Sequence, residues 1–201
     1  MKVVCLKANL DQYSCSSYLI LGDWNRLEDV NTLIDAGVDG FVLAEIAGLS
    51  TGVGKRPVEQ LILTHGHFDH CAGAKFIKRK YSCLTLGFSS QKPVDQTVRD
   101  GQILRCGDHD FEVIHTPGHS GDSICLYCEK EAVLFSGDTQ LVIRTPGGCY
   151  TEEFVESLER LGRRRIIAVY PGHGTPLRGN VGAMIADTLR NVHKSQINSA
   201  Q

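Results

Sequence analysis

The sequence lacks any apolar run long enough to cross a membrane, and it lacks an excess of charge of either sign. No apolar stretch approaches the roughly 18 residues that a membrane-spanning helix requires. The 21 basic and 23 acidic residues leave a net charge of −2, which provides no electrostatic attraction to nucleic acid or to an anionic membrane. We therefore expect a small-molecule substrate and no nucleic-acid or membrane partner. The oligomeric state is left open.

A secretion signal, a linker and a low-complexity segment are also missing. The N-terminal apolar residues are interrupted by Lys7 and Asn9, which makes this segment too polar for the apolar part of a signal peptide. We therefore expect a cytoplasmic protein whose eight cysteines are reduced. The 201 residues are enough for one domain with a large core, so residues 1–201 are predicted to form a single domain.

Two of the cysteines, Cys125 and Cys128, have the spacing of a redox pair or a zinc-binding pair. They lie within DSICLYC, whose apolar and β-prone residues predict a strand. Side chains three residues apart on a strand point to opposite faces, so the two thiols are expected to diverge. We interpret both as structural cysteines.

Strands and helices alternate through the chain in two similar halves. The first half contains the predicted strands KVVCLKA, SYLILG, NTLIDAG, VEQLILT and CLTLGF and the predicted helices DGFVLAEIAGL and AGAKFIKRKY. The second half contains the strands QILRC, FEVIHT, SICLYC, AVLFSGD and RIIAVY and the helices TEEFVESLERL, opened by Thr151, and GAMIADTLRNVHKSQ. Two sheets packed face to face, with helices outside, would bury these elements economically.

The stretch THGHFDH, residues 64–70, places three of the eight histidines within six consecutive positions, directly after a predicted strand. Its mid-chain position and mixed composition exclude a purification tag. Imidazole and carboxylate are the ligands that borderline divalent metals prefer. The stretch therefore indicates a metal site.

Three further strands end in a tight turn that carries an imidazole or a carboxylate. FEVIHTPGHS leads to His119, AVLFSGDT leads to Asp138, and IIAVYPGHG leads to His173. Glycine and proline are common in such turns because they supply unusual or fixed backbone angles. Ligands on short turns at the rim of a rigid sheet are well preorganised, so we expect the four units to converge on one cleft.

The seven candidate ligands divide into two sets and one further carboxylate that can bridge them: His65, His67 and His119; Asp69, His70 and His173; and Asp138. This number is sufficient for two metal ions with open positions for water. Such an arrangement is typical of a catalytic site and not of a structural one.

Taken in order, THGHFDH, HTPGHSG, LFSGD and YPGHG resemble the metallo-β-lactamase superfamily, and in particular its glyoxalase II-like branch. The opening strands and LIDAG also fit this family. The resemblance implies an α+β fold, a four-layer αββα sandwich with a dinuclear metal site at the sheet rim, and assigns the same seven residues as ligands. It implies two divalent ions, zinc with iron or manganese as alternatives.

The activity implied by the resemblance is hydrolysis of a thioester by a metal-activated bridging hydroxide. Asp69 would be the catalytic residue that orients the water and carries its proton to the leaving group. Glyoxalase II proteins hold glutathione on an added helical domain, whereas one predicted helix follows His173 here. The thiol carrier and the acyl group therefore stay open. The substrate-binding residues are also unknown, although Arg144 and Tyr150 are candidates for contact with substrate.

Two other functions stay open beside the hydrolase. Persulfide dioxygenases resemble this chain in fold and motifs but use a single iron, held by residues matching His65, His119 and Asp138. The segment IRTPGGCYTEEF lacks the glycine-arginine-threonine-aspartate pattern usual in them. The segment GDTQLV lacks the tyrosine that the lactonase branch places after the bridging aspartate, which disfavours lactones. A non-catalytic metal-binding sensor or scaffold is the alternative of another class.

We interpret four further residues as structural. His115 lies within a predicted strand and is expected to form a hydrogen bond that supports the site. His109 lies in a predicted turn and is expected to be solvated. His193 is expected near the end of the last helix, and Cys71 is expected to pack and not to bind metal.

Overall fold

Six strands form the first sheet of the computed structural model, which describes residues 1–6 and 13–198. In spatial order they are β1 Lys2–Leu6, β2 Ser17–Leu21, β3 Thr32–Ile34, β4 Gln60–Ile62, β5 Leu84–Gly87 and β6 Gln96–Thr97. Strands β1 to β3 pair antiparallel, and strands β3 to β6 pair parallel. The spatial order is thus the order of the strands along the chain.

The second sheet also has six strands. In spatial order they are β7 Ile103–Cys106, β8 His109–His115, β9 Ile124–Cys128, β10 Val133–Gly137, β12 Ala168–Pro171 and β13 Leu177–Arg178. Neighbouring strands pair antiparallel except for β10 and β12, which are parallel. A separate parallel pair joins β11 Cys149–Thr151 to β14 Gln196–Asn198.

Five helices complete the described part of the chain: α1 Val42–Ala47, α2 Phe68–Cys71, α3 Ala74–Tyr81, α4 Glu152–Gly162 and α5 Val181–Val192. The side chain of Thr151 accepts a hydrogen bond from the Phe154 amide and so caps α4, as the sequence predicts. Asn180 caps α5 in the same way through the Ala183 amide. None of these five helices is long and apolar enough to span a bilayer.

Strand alternation divides the core into three layers of apolar contact. On β2, Tyr18 and Ile20 pack between the two sheets, whereas Leu19 and Leu21 pack against the helices of the first half. On the second sheet, Leu134 packs with α4 and α5 on the outer face. The two sheets therefore lie face to face with helices on both outer sides, and the predicted four-layer αββα sandwich is confirmed.

The two cysteines of CLYC lie in different core layers. Cys125 is buried among residues of the outer layer beside α4 and α5, and Cys128 is buried between the sheets. Their thiols therefore point to opposite faces of β9, as strand geometry predicts. Neither forms a disulfide.

Several predicted elements differ from the structure. The last helix ends at Val192 and not at Gln196, because Gln196 begins β14 and pairs with β11. His109 is 5% exposed, not solvated, and its Nδ1 lies 2.7 Å from Oδ1 of Asp108. Lys7, Asn9 and the end of the predicted first strand lie outside the described residues.

Candidate metal centre

The candidate site lies where parallel strands of both sheets end. Strands β3 and β4 end at one rim of the first sheet, and β10 and β12 end together in the second. The amide of Ile124 donates to the carbonyl of Thr64 at 2.8 Å, which links the segment after β4 to the second sheet. Gly172 donates to Gly137 at 2.8 Å and so joins the two turns of the second sheet. The four predicted strand–turn units therefore meet at one rim.

The first predicted set consists of three histidines whose ring nitrogens converge. Nδ1 of His67 lies 3.1 Å from Nε2 of His65 and 2.9 Å from Nε2 of His119. One ring nitrogen from each residue lies within 4.8 Å of the others. His65 is buried, whereas His67 and His119 are exposed. This set therefore has a buried side and a side open to solvent.

The second predicted set, Asp69, His70 and His173, lies beside the first, and Asp138 joins it in the structure. Oδ2 of Asp69 lies 3.1 Å from Nε2 of His173 and 3.8 Å from Nε2 of His70. Asp69, His70, Asp138 and His173 each place one potential ligand atom within 4.8 Å of the others. Asp69 and His70 are both buried on the short helix α2.

Asp138 lies between the two sets. Its Oδ1 is 3.3 Å from Nε2 of His70, and its Oδ2 is 3.5 Å from Nε2 of both His119 and His173. The carboxylate thus contacts a histidine of the first set and two of the second. This is the position from which one carboxylate could bridge two ions.

Asp35 is a site residue that the sequence analysis missed. It follows β3 and is 1% exposed. Its Oδ2 lies 2.8 Å from Nδ1 of His70 and accepts a 2.8 Å hydrogen bond from the Thr64 hydroxyl, while its Oδ1 accepts from the Thr64 amide. A carboxylate behind a metal-binding histidine fixes its ring and tautomer. The signal was present in LIDAG, a fifth strand followed directly by a carboxylate.

The electrostatics of the site favour neutral imidazole at His65 and His119 and an ionised carboxylate at Asp138, whereas His70 is favoured in its charged form. Burial is the main reason that the pKa of His65 is lowered to about 4, and burial likewise lowers the pKa of His119. Burial would raise the pKa of Asp138, but the hydrogen bond and charge of His70 outweigh it and lower that pKa to about 2. Burial also opposes the charged form of His70, yet Asp35 and Asp138 raise its pKa.

The donor set fits two divalent ions. Ligands held tetrahedrally at about 2.1 Å from one ion lie about 3.4 Å apart. The contacts between donor atoms run from 2.9 to 3.1 Å in the first set and from 3.1 to 3.8 Å in the second. Nε2 of His70 is buried and makes no hydrogen bond of normal geometry, although Oδ1 of Asp138 lies 3.3 Å away. A buried, unpaired nitrogen among carboxylates is the donor that a cation would satisfy.

Gly172 allows the turns to approach closely. A Cβ atom at this position would overlap Oδ1 of Asp138 and would lie 2.7 Å from Cε1 of His70. Gly137 has a φ of 48°, and a Cβ there would lie 2.6 Å from Oγ1 of Thr64. Glycine is therefore required where the site is most crowded.

The remaining predicted residues lie at different distances from the centre. Nε2 of His115 lies 2.9 Å from the carbonyl of Gly121 in the turn that carries His119, and its ring stacks on Phe88. His193 follows α5 and is exposed. Cys71 donates to the Gly66 carbonyl and belongs to neither ligand set.

A cavity of about 480 Å³ opens directly beside the site and is partly lined by His119, Asp138 and His173. Tyr150 lines this cavity, as expected for a residue that contacts substrate, whereas Arg144 is exposed and is not part of the lining. Volumes of a few hundred Å³ are typical of small-molecule sites.

Comparison with known families decides what this geometry represents. The sequence model of the metallo-beta-lactamase superfamily matches residues 10–90 and 84–173. The chain belongs to the metallo-beta-lactamase superfamily. The matched residues contain the five-histidine, two-aspartate cluster described above.

Two curated relatives of this superfamily member carry names that describe hydrolysis of thioesters. An atrochrysone carboxyl ACP thioesterase from Aspergillus fumigatus is 29% identical over 178 residues, which is 83% of this chain and 42% of the relative. A hydroxyacylglutathione hydrolase from Klebsiella pneumoniae is 38% identical over 94 residues, 45% of this chain and 35% of the relative. The chain spans about half the length, or less, of these curated relatives.

Two solved structures share the fold. A metallo-beta-lactamase family protein from Thermus thermophilus superposes with a TM-score of 0.70 at 18% identity, covering 94% of this chain and 78% of that one. ETHE1 from Myxococcus xanthus superposes with a TM-score of 0.67 at 23% identity, covering 95% of this chain and 83% of that one. At these identities the likeness supports the fold alone.

Proposed function

We propose that this superfamily member hydrolyses thioesters at a site that holds two divalent metal ions. The observation that carries the proposal is the pair of adjacent ligand sets, joined by Asp138, at the end of an open cavity. The names of the Aspergillus and Klebsiella relatives support the reaction class. We further propose zinc as the metal, a single domain over residues 1–201 and a cytoplasmic location.

The proposed ligands of one ion are His65, His67 and His119, and those of the other are Asp69, His70 and His173, with Asp138 shared. Divalent ions held by these residues would lower the pKa of a bound water and polarise the substrate carbonyl. The ligands are suited to this task because burial keeps His65 neutral and because Asp138 stays ionised. Asp35 holds the ring of His70 so that Nε2 faces the site.

Asp69 is the proposed catalytic residue. Its carboxylate is buried, and its Oδ2 lies 3.1 Å from Nε2 of His173, so it can orient the attacking water and accept its proton. The water oxygen forms a bond to the acyl carbon, and the carbon–sulfur bond breaks. Asp69 then delivers the proton to the departing thiolate. The products are a carboxylic acid and a thiol.

The experiment that tests the proposal compares metals and substrates in parallel. The protein is stripped of metal, reconstituted separately with zinc, manganese and iron, and assayed with S-lactoylglutathione and with coenzyme A thioesters. We expect cleavage of a thioester that rises with metal up to two ions per chain. Oxygen uptake with glutathione persulfide by the iron form, without thioester cleavage by any form, would replace the hydrolase with a persulfide dioxygenase.

A further inference from the structure

The lining of the cavity beside the metal centre has two parts of different character. One part is formed by the proposed ligands His119, Asp138 and His173. The other lining residues come from the turns at Gly118 and Gly137, from the segment after β10, from the end of β12, and from β11 and the start of α4: Gly118, Gly137, Thr139, Gln140, Cys149, Tyr150, Thr151, Phe154 and Pro171. A substrate whose carbonyl lies at the metal end would extend into this second part.

The second part of the cavity presents no charged side chain. Among the described lining residues, lysine, arginine and glutamate are missing, and Asp138 at the metal end is the one aspartate. Arg144, on the same loop, is exposed and lies outside the lining. An anionic group placed here would lose its hydration without gaining a cationic partner. The cavity is therefore suited to an uncharged group.

An aromatic pair forms one wall of this part. The rings of Tyr150 and Phe154 stack with their centroids 5.5 Å apart and their planes inclined by 21°. Phe154 is buried and packs on Gly118, where a Cβ atom would lie 2.6 Å from its ring. Because His119 follows Gly118, the aromatic wall begins one residue from a proposed ligand. Flat rings are the groups that such a wall binds by offset or edge contacts.

The loop that leads to this wall is held by hydrogen bonds from α5. The Thr188 hydroxyl on α5 donates to the carbonyl of Leu141 at 2.9 Å and accepts from the Ile143 amide at 3.0 Å, and Asn191 donates to Ile143 at 2.7 Å. Strand β14 pairs along β11, which carries Tyr150. A wall that is already ordered costs little conformational entropy when substrate binds.

We propose that this cavity binds the acyl group of the substrate, and that this group is an uncharged planar carbocycle larger than a two- or three-carbon acyl chain. This inference rests on the proposed thioester hydrolysis and specifies its substrate class. Tyr150 and Phe154 contact the ring, and Gln140 offers an amide at the exposed rim. The reacting carbonyl then lies at the end of the cavity formed by Asp138 and His173.

The test varies the acyl group on one small thiol. The metal-loaded protein is assayed with N-acetylcysteamine thioesters of acetate, succinate, octanoate, benzoate and 2-naphthoate. We expect kcat/KM for the naphthoyl thioester to exceed that for the acetyl and succinyl thioesters by about tenfold or more, the scale of one well-placed aromatic contact with its burial. Comparison of the octanoyl and naphthoyl thioesters distinguishes a preference for flat rings from a preference for any large apolar group.

Variants of Tyr150 test whether the aromatic wall causes the preference for the naphthoyl thioester. Tyr150→Ala should remove most of the naphthoyl advantage, measured as the ratio of kcat/KM for the naphthoyl thioester to that for the acetyl thioester within the same variant. Tyr150→Phe should retain this ratio because the ring stays. Trp24→Ala is the matched aromatic control, since Trp24 is 80% exposed and does not line the cavity. It should behave as the unaltered protein.

A binding measurement needs neither metal nor turnover. Cys149 is exposed and lines the cavity, whereas Cys5 is exposed on β1 and does not. We expect 2-naphthamide to slow alkylation of Cys149 by iodoacetamide, followed by mass spectrometry, and to leave Cys5 unaffected. Succinamate should protect neither thiol.

The outcomes separate the two proposals. Thioester cleavage at similar rates for all acyl groups, a preference for succinyl, or a naphthoyl preference that survives Tyr150→Ala would overturn the acyl assignment and leave thioester hydrolysis standing. Failure of 2-naphthamide to protect Cys149 would also count against the acyl assignment alone. Absence of cleavage with every thioester and every metal would overturn the proposed function and the acyl assignment with it.

Discussion

Oδ2 of Asp35 lies 2.8 Å from Nδ1 of His70 at the buried floor of the candidate metal centre. Asp35 is 1% exposed and His70 is 0% exposed, so neither group can exchange this partner for water. The contact leaves Nε2 of His70 facing Asp138 and Asp69. It therefore determines which nitrogen of His70 is offered to a metal.

Asp35→Asn should weaken metal binding while the fold is kept. The amide has nearly the same shape and keeps one acceptor, but it removes the charge that polarises His70. Loss of such a supporting carboxylate typically lowers metal affinity by about 10- to 100-fold, and we expect this range in a chelator competition with zinc. Asp110→Asn, at a carboxylate that is 68% exposed, is the control. Equal zinc affinities for all three proteins would contradict the role assigned to Asp35.

His65→Ala and Asp138→Ala should abolish thioester hydrolysis without unfolding the protein. Both residues lie on turns at the rim, so the three apolar layers do not depend on them. We expect His65→Ala to bind one metal ion per chain and Asp138→Ala to bind both ions weakly. Their thermal midpoints with zinc should fall towards that of the metal-free protein, because bound metal stabilises the native state by linkage.

His193→Ala is the matched histidine control for these variants, since His193 is half exposed and follows α5. Metal content, circular dichroism and thermal melts with and without a chelator provide the measurements. Substantial hydrolysis by Asp138→Ala would show that the shared carboxylate is not needed.

Local sequence patterns predicted the layers of this fold and the convergence of the seven candidate ligands for identifiable reasons. Each ligand turn directly follows a buried strand, so the spacing within the chain carries the information. Alternation along β2 and β9 likewise shows which residues face the sheets and which face the helices. These features can be predicted from residues that are neighbours in the sequence.

Features that depend on contacts between distant residues were missed. Asp35 meets His70 only because β3 and β4 pair in parallel. The strand pairing of Gln196 with Cys149 replaces the end of a predicted helix, although helical spacing continues in the sequence. His109 is buried beside Glu131, 22 positions further on, whose carboxylate lies 2.9 Å from its Nε2.

Asp108 should contribute stability that disappears in acid. Burial would raise the pKa of this carboxyl, but its contacts with His109 and the Asp23 amide lower the pKa from 3.8 to about 2. Because the folded pKa is the lower one, the contribution is fully present above about pH 4 and is lost as pH falls through about 2. Solvent screening limits its size to the order of 1 kcal/mol.

Urea unfolding of the protein and of Asp108→Asn at several pH values measures this contribution. We expect the difference in unfolding free energy to be constant near neutral pH and to shrink between about pH 4 and pH 2. Asp110→Asn should show almost no difference at any pH, since its carboxylate is mostly exposed. A difference for Asp108→Asn that grows in acid would contradict a lowered pKa for Asp108 in the folded protein.

Gly172→Ala should disable the metal centre although it adds a single methyl group. That methyl would overlap the Asp138 carboxylate and press on the ring of His70, so both side chains must shift. A displacement of about 1 Å at a catalytic site can cost about 100-fold in rate, and we expect a loss of this size in kcat/KM with weaker zinc binding. Gly182→Ala in α5, where a Cβ meets open space, should leave both quantities unchanged. If Gly172→Ala kept full activity and zinc affinity while Gly182→Ala also did, the close approach of the two turns would not be what positions Asp138.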